Sequence, residues 1–156
     1  MQIEFHPLPT ADVQAIRISG RDAYGLPLEI HISDGDAYPC RHCMEAIPKG
    51  DPYYILAHRP FSKHHAFAET GPLFLCASDC AAADPTPEVP ETLRAEHFIL
   101  RGYDSDERII YGTGEVVPTP QIPTWSRRLF ENPKVAFIDI RSAANNCYQC
   151  RIDRDS

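Results

Sequence analysis

The six cysteines of this chain fall in three close pairs, and this spacing limits the possible folds more than any other feature. The pairs are Cys40 with Cys43, Cys76 with Cys80, and Cys147 with Cys150. The N-terminal sequence lacks a basic segment followed by an apolar run, so we expect no secretory signal and a cytoplasmic location. Because thiols stay reduced in the cytosol, close pairs there indicate metal or redox chemistry. Three disulfides become the alternative only if the protein is exported.

The chain length and the net charge limit the classes of protein to which this chain can belong. The chain has 156 residues, which predicts a single domain over 1–156. Its net charge of −7 argues against a general nucleic-acid binder, which needs a basic face to displace counterions. No apolar run reaches about eighteen residues, so we expect no membrane-spanning segment. The remaining partners are a small molecule or another protein, and composition does not distinguish them.

The first cysteine pair has the spacing of a zinc ligand pair. Cys40 and Cys43 lie in the turn-forming region 38–51, just before a predicted strand over 53–57. Two intervening residues allow both thiolates to face one ion. This segment resembles the zinc knuckle of ribbon and treble-clef domains, in which a hairpin follows the first pair. The resemblance covers 38–83.

The second pair extends this resemblance. Cys76 ends a predicted strand over 73–76, and Ser78 is expected to cap a helix over 79–83. In a treble clef the second pair lies at the start of such a helix, although here three residues separate the two cysteines where two are usual. We therefore predict a closed, structural zinc site. Its ligands are Cys40, Cys43, Cys76 and Cys80.

Two other interpretations of these thiols remain open. Free cysteines are common as small buried hydrophobes, so the four need not bind a metal. Cys40 and Cys43 can also form a redox pair. A thioredoxin-type pair needs a helix N-terminus to lower the thiol pKa, and Pro48 and Gly50 leave little room for that helix. Metal binding needs no helix there, so it is preferred to redox chemistry.

The third pair lies in a predicted strand over 147–152, where residues three apart point to opposite faces. Cys147 and Cys150 therefore cannot chelate one ion unless a bulge rotates one of them. We expect one thiol to face the core and the other to be more exposed. A nucleophilic Cys147 needs a neighbouring base, which the sequence cannot place.

A basic segment is the second candidate site. It contains His58, Arg59, His64 and His65 and no carboxylate. Such a segment can hold an anionic ligand or lend a histidine to a metal. A solvated loop over 58–65 explains the same residues.

Strands outnumber helices among the predicted elements. The predicted strands cover 2–6, 28–32, 53–57, 73–76, 97–103, 107–117, 134–140 and 147–152, and the predicted helices cover 10–18 (capped by Thr10), 79–83 and 123–131. Short turns join several strands, so we predict an α+β fold with a mostly antiparallel sheet and a few short helices. The alternation of Leu28, Ile30 and Ile32 predicts a strand with one buried face. Trp125 and Leu129 are four residues apart, so we expect both to be buried under the last helix.

Four collinear segments, which span most of the chain, are similar to a known family. They are YPCRHC with a following GD at 38–51, AHRPF at 57–61, AETGPLFL at 68–75 and VAFIDIRSAANNCYQCRIDR at 135–154. Together they resemble a bacterial family of uncharacterised proteins, domain of unknown function 1203. The resemblance implies one compact domain and brings no assigned substrate or catalytic residue.

Two functional hypotheses follow. The first is a binding or interaction module with a structural zinc ion, because no acid–base or nucleophile constellation is visible in the sequence. The second is an enzyme of unknown class that uses Cys147 or the histidine-containing loop 58–65. A pocket that joins Cys147 to a histidine or carboxylate favours the enzyme, whereas a flat surface with a closed metal site favours the module.

Overall fold

Two antiparallel sheets and two short α-helices form the fold. The computed structural model describes residues 1–36 and 38–154. The strands are β1 (Ile3–His6), β2 (Glu29–Ile32), β3 (Pro52–His58), β4 (Gly71–Cys76), β5 (His97–Tyr103), β6 (Glu115–Pro118), β7 (Phe137–Ser142) and β8 (Tyr148–Arg154). The helices are α1 (Thr10–Ser19) and α2 (Ile122–Leu129), the second preceded by a 3₁₀ turn over Thr119–Gln121. The predicted compact α+β fold is confirmed.

The five-stranded sheet has the order β1-β8-β7-β5-β6, with every neighbouring pair antiparallel. Both predicted hairpins are present, since β5 pairs with β6 and β7 pairs with β8. The strand predicted over 107–117 is shorter than expected. It begins only at Glu115, because a turn at Gly112, which has a φ of 93°, interrupts the extended chain.

Helix α2 covers the core of this sheet. Ile122 and Phe130 are fully buried against it, whereas Trp125 and Leu129 are half-buried and pack at its margin. The predicted burial of Trp125 is therefore only partial. The core beneath the helix includes Phe98, Leu100, Ile138, Ile140, Cys150 and Ile152.

The three-stranded sheet has the order β2-β3-β4. Its core packs Leu56 and Leu75 against Val13 of α1. The edge strand β2 is exposed on both faces, with Ile30 and Ile32 65% and 64% exposed. The prediction of one buried face for this strand is wrong, because alternation alone does not supply an element to cover it.

Strand β8 joins the two cores. Ile140 pairs with Cys150 and Arg141 pairs with Tyr148, so Gln149 is an extra residue in a β-bulge. Tyr148 packs in the core of the three-stranded sheet, whereas Cys150 packs in that of the five-stranded sheet. The bulge therefore lies where the sheets meet.

Two predicted helix features are wrong. Pro9, not Thr10, occupies the N-cap of α1, and the Thr10 hydroxyl contacts His42 instead. The segment 79–83 is irregular and not helical. Its backbone is held differently, since the Ala83 N–H donates to the carbonyl of His42 over 2.9 Å. In the described ranges, no helix has the length and apolar character needed to cross a bilayer.

Candidate metal centre and adjoining clefts

The four cysteines predicted as ligands converge on one point, and we call them the tetrad. Their sulfur atoms all lie within 4.8 Å of one another. The Cys40 and Cys80 sulfurs are 3.9 Å apart, as are those of Cys43 and Cys76. A tetrahedron with metal–sulfur bonds of about 2.3 Å has edges of about 3.8 Å. All four are free thiols, so the tetrad can hold a metal ion.

A tight turn orients the side chains of the first cysteine pair, Cys40 and Cys43. The N–H of Cys40 donates to the Glu45 carbonyl, and the N–H of Met44 donates to the Cys40 carbonyl, each over 2.9 Å. Met44 completes the turn with a φ of 58°, in the left-handed region that favours glycine. The turn places the side chains of Cys40 and Cys43 on the same side of the chain.

The second cysteine pair is oriented by the end of a strand at Cys76 and by an irregular segment at Cys80. Cys76 is the last residue of β4, and its N–H donates to the Cys40 sulfur over 3.4 Å. Arg17 of α1 donates to the carbonyls of Ala77 and Ser78, which fixes the chain leading to Cys80. Because no helix begins here, the treble-clef resemblance of the second pair is wrong.

The electrostatics of the tetrad favour a cation at its centre. Hydrogen bonds from Cys43 and Cys76 hold the pKa of Cys40 well below its ordinary value. The same contacts raise the pKa of Cys76, and burial with nearby thiolate charge raises that of Cys80 to about 12. Four thiols this close cannot all ionise beside one another without a positive charge between them. A divalent ion supplies that charge and deprotonates its ligands.

His42 lies beside the tetrad and contacts one of its cysteines. Its side chain is 3% exposed, and its Nδ1 lies 3.2 Å from the Cys80 sulfur. Its Nε2 lies 3.0 Å from the Thr10 hydroxyl. A neutral ring that donates from Nδ1 to sulfur and accepts at Nε2 satisfies both contacts. Burial lowers the pKa of His42, which favours this neutral form. Such outer hydrogen bonds orient metal ligands.

Three clefts lie near these elements. A cysteine cleft of about 500 Å³ is lined by Cys43, Cys76 and Cys80, so the tetrad is reached from solvent on one side. A smaller cleft of about 380 Å³ lies between the β1–α1 connection and β8. A larger cleft of about 770 Å³ lies between α1 and the loop after β3.

The structure distributes the predicted basic residues unevenly. His58, Arg59 and His64 line the larger cleft, and an Arg59 nitrogen lies 2.7 Å from Nε2 of His64. His65 is not among the lining residues, and its Nε2 lies 3.8 Å from the Glu107 carboxylate. Glu107 also accepts from the N–H and hydroxyl of Ser62. The fold therefore places the carboxylate of Glu107 beside the basic loop 58–65, which contains no carboxylate.

The third cysteine pair is separated as predicted. Cys150 is fully buried, and burial raises its pKa to about 12. Cys147 is half-buried in the turn before β8, and its thiol lies 3.7 Å from the Asn145 carbonyl. Cys147 lines none of the three clefts. Within 1–36 and 38–154, the tetrad alone groups three or more such side chains at metal-ligand spacing. That Cys147 and Cys150 share no ion stays a prediction.

Several residues of the site carry no local sequence signal. Asp139 is fully buried and forms a bidentate ion pair with Arg151, which lines both the smaller and the larger cleft. Asp12 of α1 also lines both clefts. Asp139 and Arg151 are cross-strand partners in the β7–β8 register. The place of Arg151 beside Asp12 depends on contacts between segments more than one hundred residues apart.

Comparison with known proteins adds a family to this description. Residues 37–154 match the family model described as "Protein of unknown function (DUF1203)", which covers well over half of the chain. The chain belongs to the DUF1203 family. The resemblance seen in the sequence is therefore confirmed. Neither a curated protein nor a solved structure matches this DUF1203 chain. Its function has to be argued from its own residues.

Proposed function

We propose that this DUF1203 protein is a binding module stabilised by one structural zinc ion, held by Cys40, Cys43, Cys76 and Cys80. The supporting observation is the convergence of the four sulfur atoms within 4.8 Å. Sulfur is a soft ligand, which favours zinc over cations that prefer oxygen, such as Mg²⁺ and Ca²⁺. Four protein ligands complete a tetrahedron, so no position remains for water or substrate. The ion then stabilises the structure and takes no part in chemistry.

The backbone around the first cysteine pair links this ion to a binding surface. The carbonyl of Arg41 accepts from the N–H of Leu8, and the carbonyl of His42 accepts from the N–H of Ala83. Leu8 and Ala83 both line the smaller cleft. Thr10, also in this cleft, contacts the His42 ring. An ion that fixes residues 40–43 therefore helps to fix three lining residues, and the proposed ligand site is this cleft.

The alternative function is an enzyme that uses Cys147 or the loop 58–65, and Cys147 has little support as its nucleophile. The Cys147 thiol contacts a backbone carbonyl, and among residues 1–36 and 38–154 neither a histidine nor a carboxylate is its hydrogen-bond partner. The clefts give a binding module a concave surface without that thiol. We therefore place function in the clefts and not at Cys147.

Zinc titration of reduced, metal-free protein tests the proposal. We expect one equivalent of zinc to raise the melting temperature of the wild type, because metal binding to the native state adds to folding free energy. The strands β3 and β4 pack without the ion, so the metal-free protein should melt at a lower temperature but still fold. Cys76→Ser should lose the response, and the matched control Cys147→Ser should keep it. An unchanged wild-type melting temperature would contradict the proposal.

A further inference from the structure

We propose that the smaller and larger clefts together bind a free amino acid with an apolar side chain, recognised as a zwitterion. This proposal rests on the binding function proposed above, and it does not depend on the identity of the metal. The ligand carboxylate lies at Arg151, the ligand ammonium lies at Asp12, and the side chain lies in the smaller cleft.

The two clefts are neighbours that share four lining residues. Asp12, His58, Pro60 and Arg151 line both of them. His58 ends β3 of the three-stranded sheet, and Arg151 belongs to β8 of the five-stranded sheet. The junction of the clefts therefore lies at the junction of the two sheets. A ligand held there contacts charged groups at the centre and has room on either side.

Arg151 presents a rigid, positively charged group to this junction. Its Nε and Nη2 donate to the two carboxylate oxygens of Asp139 over 2.7 and 3.1 Å, and Nη2 also donates to the Pro60 carbonyl. Its guanidinium lies 3.7 Å from the centre of the Phe137 ring. These contacts fix the side chain but leave Nη1 without a protein partner. A preorganised arginine with free N–H groups is suited to a carboxylate.

Asp12 supplies the opposite charge. It is exposed in the first turn of α1, and its carboxylate makes no hydrogen bond or ion pair with the described residues. Both Asp12 and Arg151 are close enough to His58 for their charges to act on its ring in opposite directions. A small anion would satisfy only Arg151. A zwitterion satisfies both charges at once, which is why we favour it over the anionic ligand that the basic loop alone suggests.

The formal charge of the larger cleft agrees with this choice. Three arginines line it, at positions 21, 59 and 151, against three carboxylates, at positions 12, 22 and 107. The balance is zero, so the cleft offers no field that would favour a polyanion. Two of these three carboxylates already accept hydrogen bonds from protein groups. Asp22 accepts from the N–H groups of Tyr24 and Leu26, and Glu107 accepts from Ser62.

The smaller cleft selects the side chain of the ligand. Part of its lining is apolar and includes Leu8, Ala82, Ala83 and Tyr148, while His6, Thr10 and Asp153 add polar groups. The apolar part gains free energy when it covers an apolar group. Its volume of about 380 Å³ gives room for a branched aliphatic or aromatic side chain.

Isothermal titration calorimetry of the zinc-loaded protein tests the proposal with three probes, L-leucine, L-methionine and L-phenylalanine. Two analogues each remove one charge of leucine: 4-methylpentanoate lacks the ammonium, and 3-methylbutylamine lacks the carboxylate. We expect leucine to bind saturably, and both leucine analogues and glycine to bind at least about tenfold more weakly than leucine. No saturable binding of leucine, or equal binding by its analogues, overturns the proposal.

Variants separate recognition from folding. Asp12→Asn should fold, because the Asp12 carboxylate has no protein partner, and it should abolish the preference for leucine over 4-methylpentanoate. Asp106→Asn, an exposed change in the β5–β6 turn, is the matched control and should keep that preference. An Asp12→Asn variant with wild-type preference overturns the proposal. Zinc content measured in the same samples shows whether a negative result contradicts the structural zinc ion or the amino-acid ligand. Protein that binds a probe but whose melting temperature does not respond to zinc would count against structural zinc alone, and zinc-loaded protein that binds no probe would count against this inference alone.

Discussion

Replacement of His42 by alanine should weaken zinc binding without removing a ligand. The buried ring contacts both Cys80 and Thr10, at 3.2 and 3.0 Å. Loss of a side chain that orients a metal ligand typically costs about 10–100-fold in metal affinity, which corresponds to about 1.4–2.7 kcal/mol. Thr10→Val removes only the outer hydrogen bond, worth about 1 kcal/mol, so its affinity should fall about fivefold.

The assay is competition between each zinc-loaded protein and a chromophoric chelator at neutral pH. His97→Ala is the control, because His97 is exposed at the start of β5 and lies outside the three clefts. We expect the order of zinc affinity to be the control and wild type together, then Thr10→Val, then His42→Ala. Wild-type affinity in the His42→Ala variant would show that the ring does not act on the metal site.

Three further predictions concern the rest of the molecule. Asp139→Asn leaves the half-buried Arg151 without its partner carboxylate, so it should lower the free energy of unfolding in urea by about 1.5–3 kcal/mol, and a change below about 1 kcal/mol would contradict the ion-pair assignment. In native zinc-loaded protein, a small disulfide reagent should modify Cys147 and spare Cys150, and mass mapping that finds Cys150 modified first would refute the burial contrast. Burial lowers the pKa of His58 below its ordinary value of 6.5, so the unfolded chain takes up the proton first, and the wild type should lose stability relative to His58→Gln as pH falls through about 6.5. Parallel melting curves of the two proteins from neutral to mildly acidic pH would contradict this.

The sequence predicted most strands and the grouping of four cysteines because both depend on local patterns. The strand-forming residues of β5 and β7 were followed by short turns, which implied antiparallel pairing with β6 and β8. The close spacing of Cys40 with Cys43 and of Cys76 with Cys80 reflects the chemistry of shared coordination, which does not depend on the rest of the fold.

The wrong predictions have tertiary causes. A serine followed by small residues suggested a helix after Cys76, but the Ala83 N–H donates to the His42 carbonyl and Arg17 fixes the carbonyls before Cys80. Alternation in β2 described its residues correctly but could not show that nothing packs over Ile30. Propensity is a weak guide where contacts distant in sequence decide the backbone.

The clefts could not be predicted from the sequence at all. Asp12, His58 and Arg151 come from helix α1 and from one strand of each sheet, and each residue alone is an ordinary charged or polar side chain. The bulge at Gln149, which lies where the sheets meet, also has no glycine or proline to signal it. A site whose residues come from elements of both sheets can therefore be recognised only in the structure.

The central claim is that the tetrad binds one zinc ion as a closed structural site. X-ray absorption at the zinc edge, on reduced protein whose zinc content has been measured, tests it most directly. The account predicts one zinc ion per chain with four sulfur ligands at about 2.3 Å and no nitrogen or oxygen ligand. Reduced protein that takes up no zinc, or zinc with a light-atom ligand in its first shell, would contradict it.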